Sequence, residues 1–98
     1  MNQGIMLIGL LRLDLLLPGC NSLKDKRSVI KRILFYIRKN YNVAAAETGS
    51  QDLWRRAELS FVTVSSLRDA AENTLRHVLS EMDSQDDIEV LSDKIEFL

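Results

Sequence analysis

The order of apolar and amphipathic segments in this 98-residue chain predicts one α+β domain, read as strand, helix, strand, strand, helix, strand. Three features of the sequence point there. Residues 5–17 are apolar at almost every position, residues 22–40 and 66–82 carry apolar side chains at helical spacing, and the segment 57–64 alternates with a period of two. With 46% hydrophobic and 28% charged residues the composition is globular, and the length leaves room for a single core, so residues 1–98 form one domain.

Ile5 to Leu17 is broken only by Gly9, Arg12 and Asp14 and is ended by Pro18-Gly19. Too short to span a bilayer, it predicts a central strand buried on both faces. Ser22 with Asp25 three residues on forms a capping-box pattern, and Leu23, Ile30, Ile33, Leu34 and Ile37 then mark the inner stripe of a helix running to about Asn40. Residues 42–46, rich in alanine, predict an edge strand, and Gly49-Ser50 a turn. From Ala57 to Val64, Leu59, Phe61 and Thr63 lie on one side and Glu58, Ser60 and Val62 on the other. Ser66 with Asp69 offers a second capping box. The helix it would open carries Ala71, Leu75, Val78, Leu79 and Met82 on its inner face. Asp86-Asp87 predicts a turn before a last strand, Ile88 to Leu98.

Two split strand–helix–strand units of this size make a ferredoxin-like βαββαβ sandwich, one antiparallel sheet with two helices on one face. The first and third strands are then central. If Leu7, Leu11, Leu13 and Leu15 lie under the helices, Met6, Ile8 and Leu10 share the open face with Val62 and Val64. Such a face is expected to be covered by a second copy, giving a homodimer, or by a terminal segment of the same chain.

No catalytic residue is expected. The lone histidine, His77, falls on the solvent side of the second helix, where a general base would be unsupported. Cys20 has no histidine near it in sequence, and as the single cysteine it excludes an internal disulfide and a cysteine-based zinc site. Neither GxGxxG nor a P-loop occurs, and Asp83, Asp86 and Asp87 lack calcium-loop spacing. No cofactor and no metal are therefore expected. Leu17-Pro18-Gly19-Cys20 superficially resembles a lipoprotein cleavage box, but residues 1–5 contain no basic residue and Arg12 and Asp14 interrupt the apolar run. A cytoplasmic protein without membrane association is expected.

Charge is distributed unevenly along a chain of formal net charge −1. Lys24, Lys26, Arg27, Lys31, Arg32, Arg38 and Lys39 stand against Asp25 alone, whereas Glu81, Asp83, Asp86, Asp87, Glu89, Asp93 and Glu96 stand against Lys94. On a helical wheel with Lys24 at the origin, Arg27, Lys31 and Arg38 fall at roughly 300–340°, Arg32 and Lys39 at roughly 60–80°, and Phe35 at roughly 20°. Six cations thus ring an aromatic side chain on the face opposite the core. Such a face suits phosphates and a stacked base, and equally an acidic protein partner, including the chain's own acidic end. Lys26 lies on the core side, where it snorkels or reaches a carboxylate such as Glu47 or Asp52.

A second cluster, Gln51-Asp52-Leu53-Trp54-Arg55-Arg56, follows the turn. Trp54 is either a stacking ring or a plug for one end of the core, and the plug is the stronger expectation for a small domain's sole tryptophan. The open sheet face lacks the aromatic residues of a ribonucleoprotein motif, and no GXXG loop of the KH type occurs, so RNA contact would fall to the first helix.

Leu16-Leu17-Pro18, Ser22-Leu23-Lys24-Asp25-Lys26-Arg27, Tyr41-Asn42-Val43, Ala46-Glu47, Gln51-Asp52-Leu53-Trp54, Arg56-Ala57 and Glu96-Phe97-Leu98 together resemble the YlxP-like family of small bacterial proteins. The resemblance spans essentially the whole chain. It implies a ferredoxin-like fold. It also implies, through genes that lie beside those for translation factors and ribosome-binding factor A, a role near ribosome assembly or translation, and it brings no catalytic residues. The candidate surface is Lys24, Lys26, Arg27, Lys31, Arg32, Phe35, Arg38, Lys39, Gln51, Asp52, Trp54 and Arg55. The expected partner is ribosomal RNA or a ribosomal subunit. The alternative is a protein-interaction or self-assembly module.

Overall fold

The computed structural model describes residues 6–98, so the expected start of the first strand at Ile5 lies outside the described residues. The elements are β1 (Leu7–Leu16), α1 (Leu23–Asn40), β2 (Ala44–Gly49), β3 (Arg56–Ser65), α2 (Arg68–Asp83) and β4 (Glu89–Phe97). They build one four-stranded sheet in the order β2-β3-β1-β4 with every neighbouring pair antiparallel. This is the ferredoxin-like arrangement.

The alternation of β1 decides which side becomes core. Leu11, Leu13 and Leu15 are buried beside Ala57, Leu59 and Phe61 of β3, and the helices close over them with Ile30, Ile33, Leu34 and Ile37 from α1 and Leu75, Val78 and Met82 from α2. Each such side chain contributes about 1.5–3 kcal/mol on leaving water, which makes the shared inner face the main source of cohesion. Helix propensity alone would not hold segments of this length.

The two helix starts differ. Ser22, in extended backbone, accepts the Asp25 amide at 3.0 Å, and the Asp25 carboxylate accepts the Asn21 amide at 3.0 Å. The reciprocal arm therefore lands one residue before the cap. The capping box expected at Ser66 and Asp69 does not form: Leu67 occupies the cap position without a side-chain bond. Ser65 instead uses its hydroxyl to accept the Leu67 amide at 3.1 Å, a local turn that brings the chain off β3 and into the helix.

Candidate nucleic-acid interface

The outer face of α1 follows from its inner one. Because Ile30, Ile33, Leu34 and Ile37 face the sheet, the 100° step leaves Lys24, Arg27, Lys31, Arg32, Phe35, Arg38 and Lys39 in solvent. Phe35 is 66% exposed, and with Ser28, Lys31, Arg32 and Arg38 it lines a shallow groove of about 490 Å³. Arg32 pairs with Asp87 and donates to Gln85 Oε1 at 3.2 Å, and Arg38 donates to the Ala45 carbonyl. Among the described residues, Lys24, Arg27, Lys31 and Lys39 make no ion pair. Four cations on this face thus have their charge unspent, and one of them, Lys31, lines the groove beside the ring.

Lys26 points the other way and is 1% exposed. It is not itself a contact surface. Its ammonium sits 2.8 Å from Glu47 Oε2 and donates to the Ser50 carbonyl at 2.6 Å and the Gln51 carbonyl at 3.3 Å. Of the two carboxylates within its expected reach, Glu47 is the one engaged, while Asp52 stays exposed. The lysine thereby ties the first turn of α1 to the loop 50–55 that joins β2 and β3. Gln51 Nε2 donates to the Glu47 carbonyl at 3.1 Å, and Arg55 reaches Asn21 Oδ1 at 2.8 Å just before the helix. So the two motif segments are neighbours in the fold.

Trp54 corrects the expectation of a core plug: it is 49% exposed, and Leu53 beside it is 52% exposed. Leu15, Leu17 and Cys20, beside this loop in the chain's path, are buried in the core without the indole. Leu53 was missed in sequence because an apolar residue in a loop carries no periodic signal. Just before this loop, Gly49 lies under Glu58, whose carboxylate would clash with an added Cβ and accepts from the Ser50 hydroxyl at 3.2 Å. Ser50 itself takes a positive φ of 57°.

The open sheet face divides in two. At one end Met6 and Val64 are exposed and Ile8, Leu10 and Val62 are half-buried, as the alternation requires. At the other, Arg12 pairs with Glu96 at 2.8 Å and Arg56 with Asp14 at 2.5 Å, and Arg12, Asp14, Glu58 and Lys94 line a concavity of about 360 Å³. These cross-strand pairs follow from the register of β1 with β3 and β4.

Elsewhere, Cys20 is buried, and burial first, then the charges of Asp25 and Asp87, push its thiol above the ordinary range. His77 is exposed, and the described residues contain no group of three or more histidine, cysteine or acidic residues able to hold a metal ion. Among the described residues, no helix is long and apolar enough to cross a membrane.

Comparison with known proteins fits this arrangement. The family described as "Protein of unknown function (DUF503)" matches residues 8–95, from β1 into β4 and including both motif segments. The chain belongs to that family. It is 39% identical over 83 residues to the uncharacterized protein YlxP of Bacillus subtilis (strain 168), covering 85% of this chain and 90% of that relative. Among solved structures, the de novo designed protein Foldit4 aligns with a TM-score of 0.56 over 96% of this chain and 97% of its own, at 16% identity. That likeness concerns the fold alone.

Proposed function

We propose that this chain is a non-catalytic cytoplasmic accessory protein that binds RNA through the outer face of α1, its partner being ribosomal RNA or a ribosomal subunit. One observation carries the proposal: a helix face with six exposed cations, five without ion pairs among the described residues, together with a Phe35 that is 66% exposed. Cations that neutralise phosphates release counterions, and a ring among them offers a stacking surface. Arg32 is the partial exception. An exposed ion pair such as Arg32–Asp87 is worth about 0–1 kcal/mol, so a phosphate can replace the carboxylate at little cost. The direction toward the ribosome comes from the gene neighbourhood that the family resemblance implies.

Sedimentation with ribosomal particles tests the proposal, using the native chain and a variant carrying Arg27→Glu, Lys31→Glu and Lys39→Glu. These positions avoid Arg32 and Arg38, whose loss would also break internal contacts. The native chain should travel with one subunit at low salt and be released as salt rises, while the variant stays at the top of the gradient. A control carrying Arg76→Glu and His77→Glu on α2 should behave like the native chain. Absence of co-sedimentation at low salt would remove the ribosomal reading.

The second reading is an acidic protein partner, favoured by the fact that Arg32 already meets a carboxylate, Asp87, of the molecule's own acidic segment. Ribonuclease separates the two, abolishing only an RNA-mediated contact. We also propose that the apolar end of the open sheet face, Met6, Ile8, Leu10, Val62 and Val64, pairs with a second copy. Light scattering would show a concentration-dependent dimer that Val64→Glu abolishes. A monomeric mass at high concentration would dismiss it.

A further inference from the structure

Loop 50–55 spends more structure than a connection needs. Hairpin loops of two residues suffice to join antiparallel strands. Here six residues intervene between Gly49 and Arg56, and they are fastened at several points. The Lys26 ammonium, itself 1% exposed, holds the Ser50 and Gln51 carbonyls. Ser50 stands at a positive φ, the Leu53 amide donates to the Ser50 carbonyl at 3.1 Å, and the Leu17 amide donates to the Arg55 carbonyl at 2.8 Å. A buried ammonium and a left-handed serine both cost free energy. What they hold in place is not buried: Leu53 and Trp54 project about half their surface into water. Strain and buried charge that end in exposed apolar side chains mark a preformed contact site.

We propose that this loop is a base-stacking site for single-stranded RNA, with Trp54 as the stacking ring and Arg55, with Lys24 and Arg27 at the adjoining start of α1, as its phosphate contacts. The inference rests on the RNA reading of α1 and extends it to a second element. An indole presents a face that any base can stack on, and nearby guanidinium groups favour a polyanion over a neutral apolar pocket. Because Lys26 fixes the start of the loop that carries Trp54, less ordering remains to be done on binding. Lys26 is thus a positioning residue rather than a contact. With Phe35 further along the helix, the two rings would engage separate bases of one strand.

Trp54 is the sole tryptophan, so its fluorescence reports on this loop alone. The experiment titrates the full chain with a fluorescein-labelled RNA octamer, read by anisotropy, and with the unlabelled octamer, read by tryptophan emission. The same sequence as a duplex supplies charge without unstacked bases. Single-stranded RNA should quench Trp54 with the midpoint seen by anisotropy, and the duplex should leave emission unchanged. Trp54→Ala should weaken single-strand binding about tenfold, and Trp54→Phe much less. Unchanged emission together with full-strength binding by Trp54→Ala would overturn the stacking site while leaving the α1 reading intact. No anisotropy change at low salt would overturn both. Quenching by an acidic, leucine-rich peptide but not by the octamer would overturn the proposal in favour of a protein-docking loop.

Discussion

The two helices lie side by side on the same face of the same sheet, and they solve the problem of an outer face differently. On α2, Glu72 pairs with Arg76 one turn along at 3.0 Å, Arg68 covers the Phe97 ring at 4.2 Å, and Asp69, Asn73, His77 and Asp83 share the remaining surface. Both signs are interleaved, as solvation alone requires. On α1 the outer face sets six cations against Asp25 alone, and adds an exposed ring. The sheet beneath is common to both helices, so the fold does not impose the difference. A helix that needed only to be soluble would resemble α2.

The largest effect expected from probing that difference comes from the inner face of α1. No counterpart of Lys26 exists on α2, whose buried stripe is Ala71, Leu75, Val78 and Met82. Lys26→Ala strips Glu47 of its cation and frees two carbonyls, at a cost of about 3–5 kcal/mol. Glu47 keeps 21% of its side-chain exposure and can partly rehydrate, which favours the lower end of that range. Lys26→Met with Glu47→Met removes both charges and should recover most of the loss. Urea unfolding of the three proteins measures this. A single-variant cost below about 1 kcal/mol would mean that the buried ammonium is no strut and that α1 differs from α2 only on its outside.

How much of this was legible in the sequence depends on whether a residue's role is set locally. Strand alternation and helical spacing are local, and they placed Leu11, Phe61, Ile37 and Leu75 in the core and Phe35 in solvent. The reach of Lys26 toward Glu47 was legible because a cation on a core stripe must find a partner. The exposure of Trp54 was not. Whether an indole plugs a core depends on whether Leu15, Leu17 and Cys20 have already filled it, which is settled only by packing. The missing cap of α2 has a similar cause: Ser66 and Asp69 have the right spacing, but the exit from β3 gave the turn to Ser65.

The caps sharpen the comparison at an intermediate scale. Ser22→Ala should cost about 1 kcal/mol, because the Asp25 amide loses its acceptor in the first turn of α1. Ser66→Ala should change stability by less than about 0.5 kcal/mol, since that hydroxyl caps nothing. For a domain of this size the first substitution lowers the melting temperature by about 4–8 °C. Equal effects at the two serines would mean that both helix starts are capped alike in solution.

An effect close to that of the Ser22 cap, but dependent on pH, concerns a polar tie between the helices. Tyr41, which follows α1, donates its hydroxyl to Glu81 of α2 at 3.1 Å. Burial first, and then the bond and charge of Glu81, raise its pKa above the ordinary 10.0. The neutral phenol is thus favoured in the folded chain. Its contribution is fully present below about pH 10 and disappears as pH climbs through the raised value, because the unfolded chain ionises first. Tyr41→Phe should therefore cost about 0.5–1.5 kcal/mol at neutral pH, and the stability curves of the two proteins should converge in alkali. The raised thiol of Cys20 acts in the same direction, but it is common to both proteins and cancels in the difference. A gap that stays constant through the alkaline range would show that the phenol bridges the two helices by packing alone, without the carboxylate that lifts its pKa.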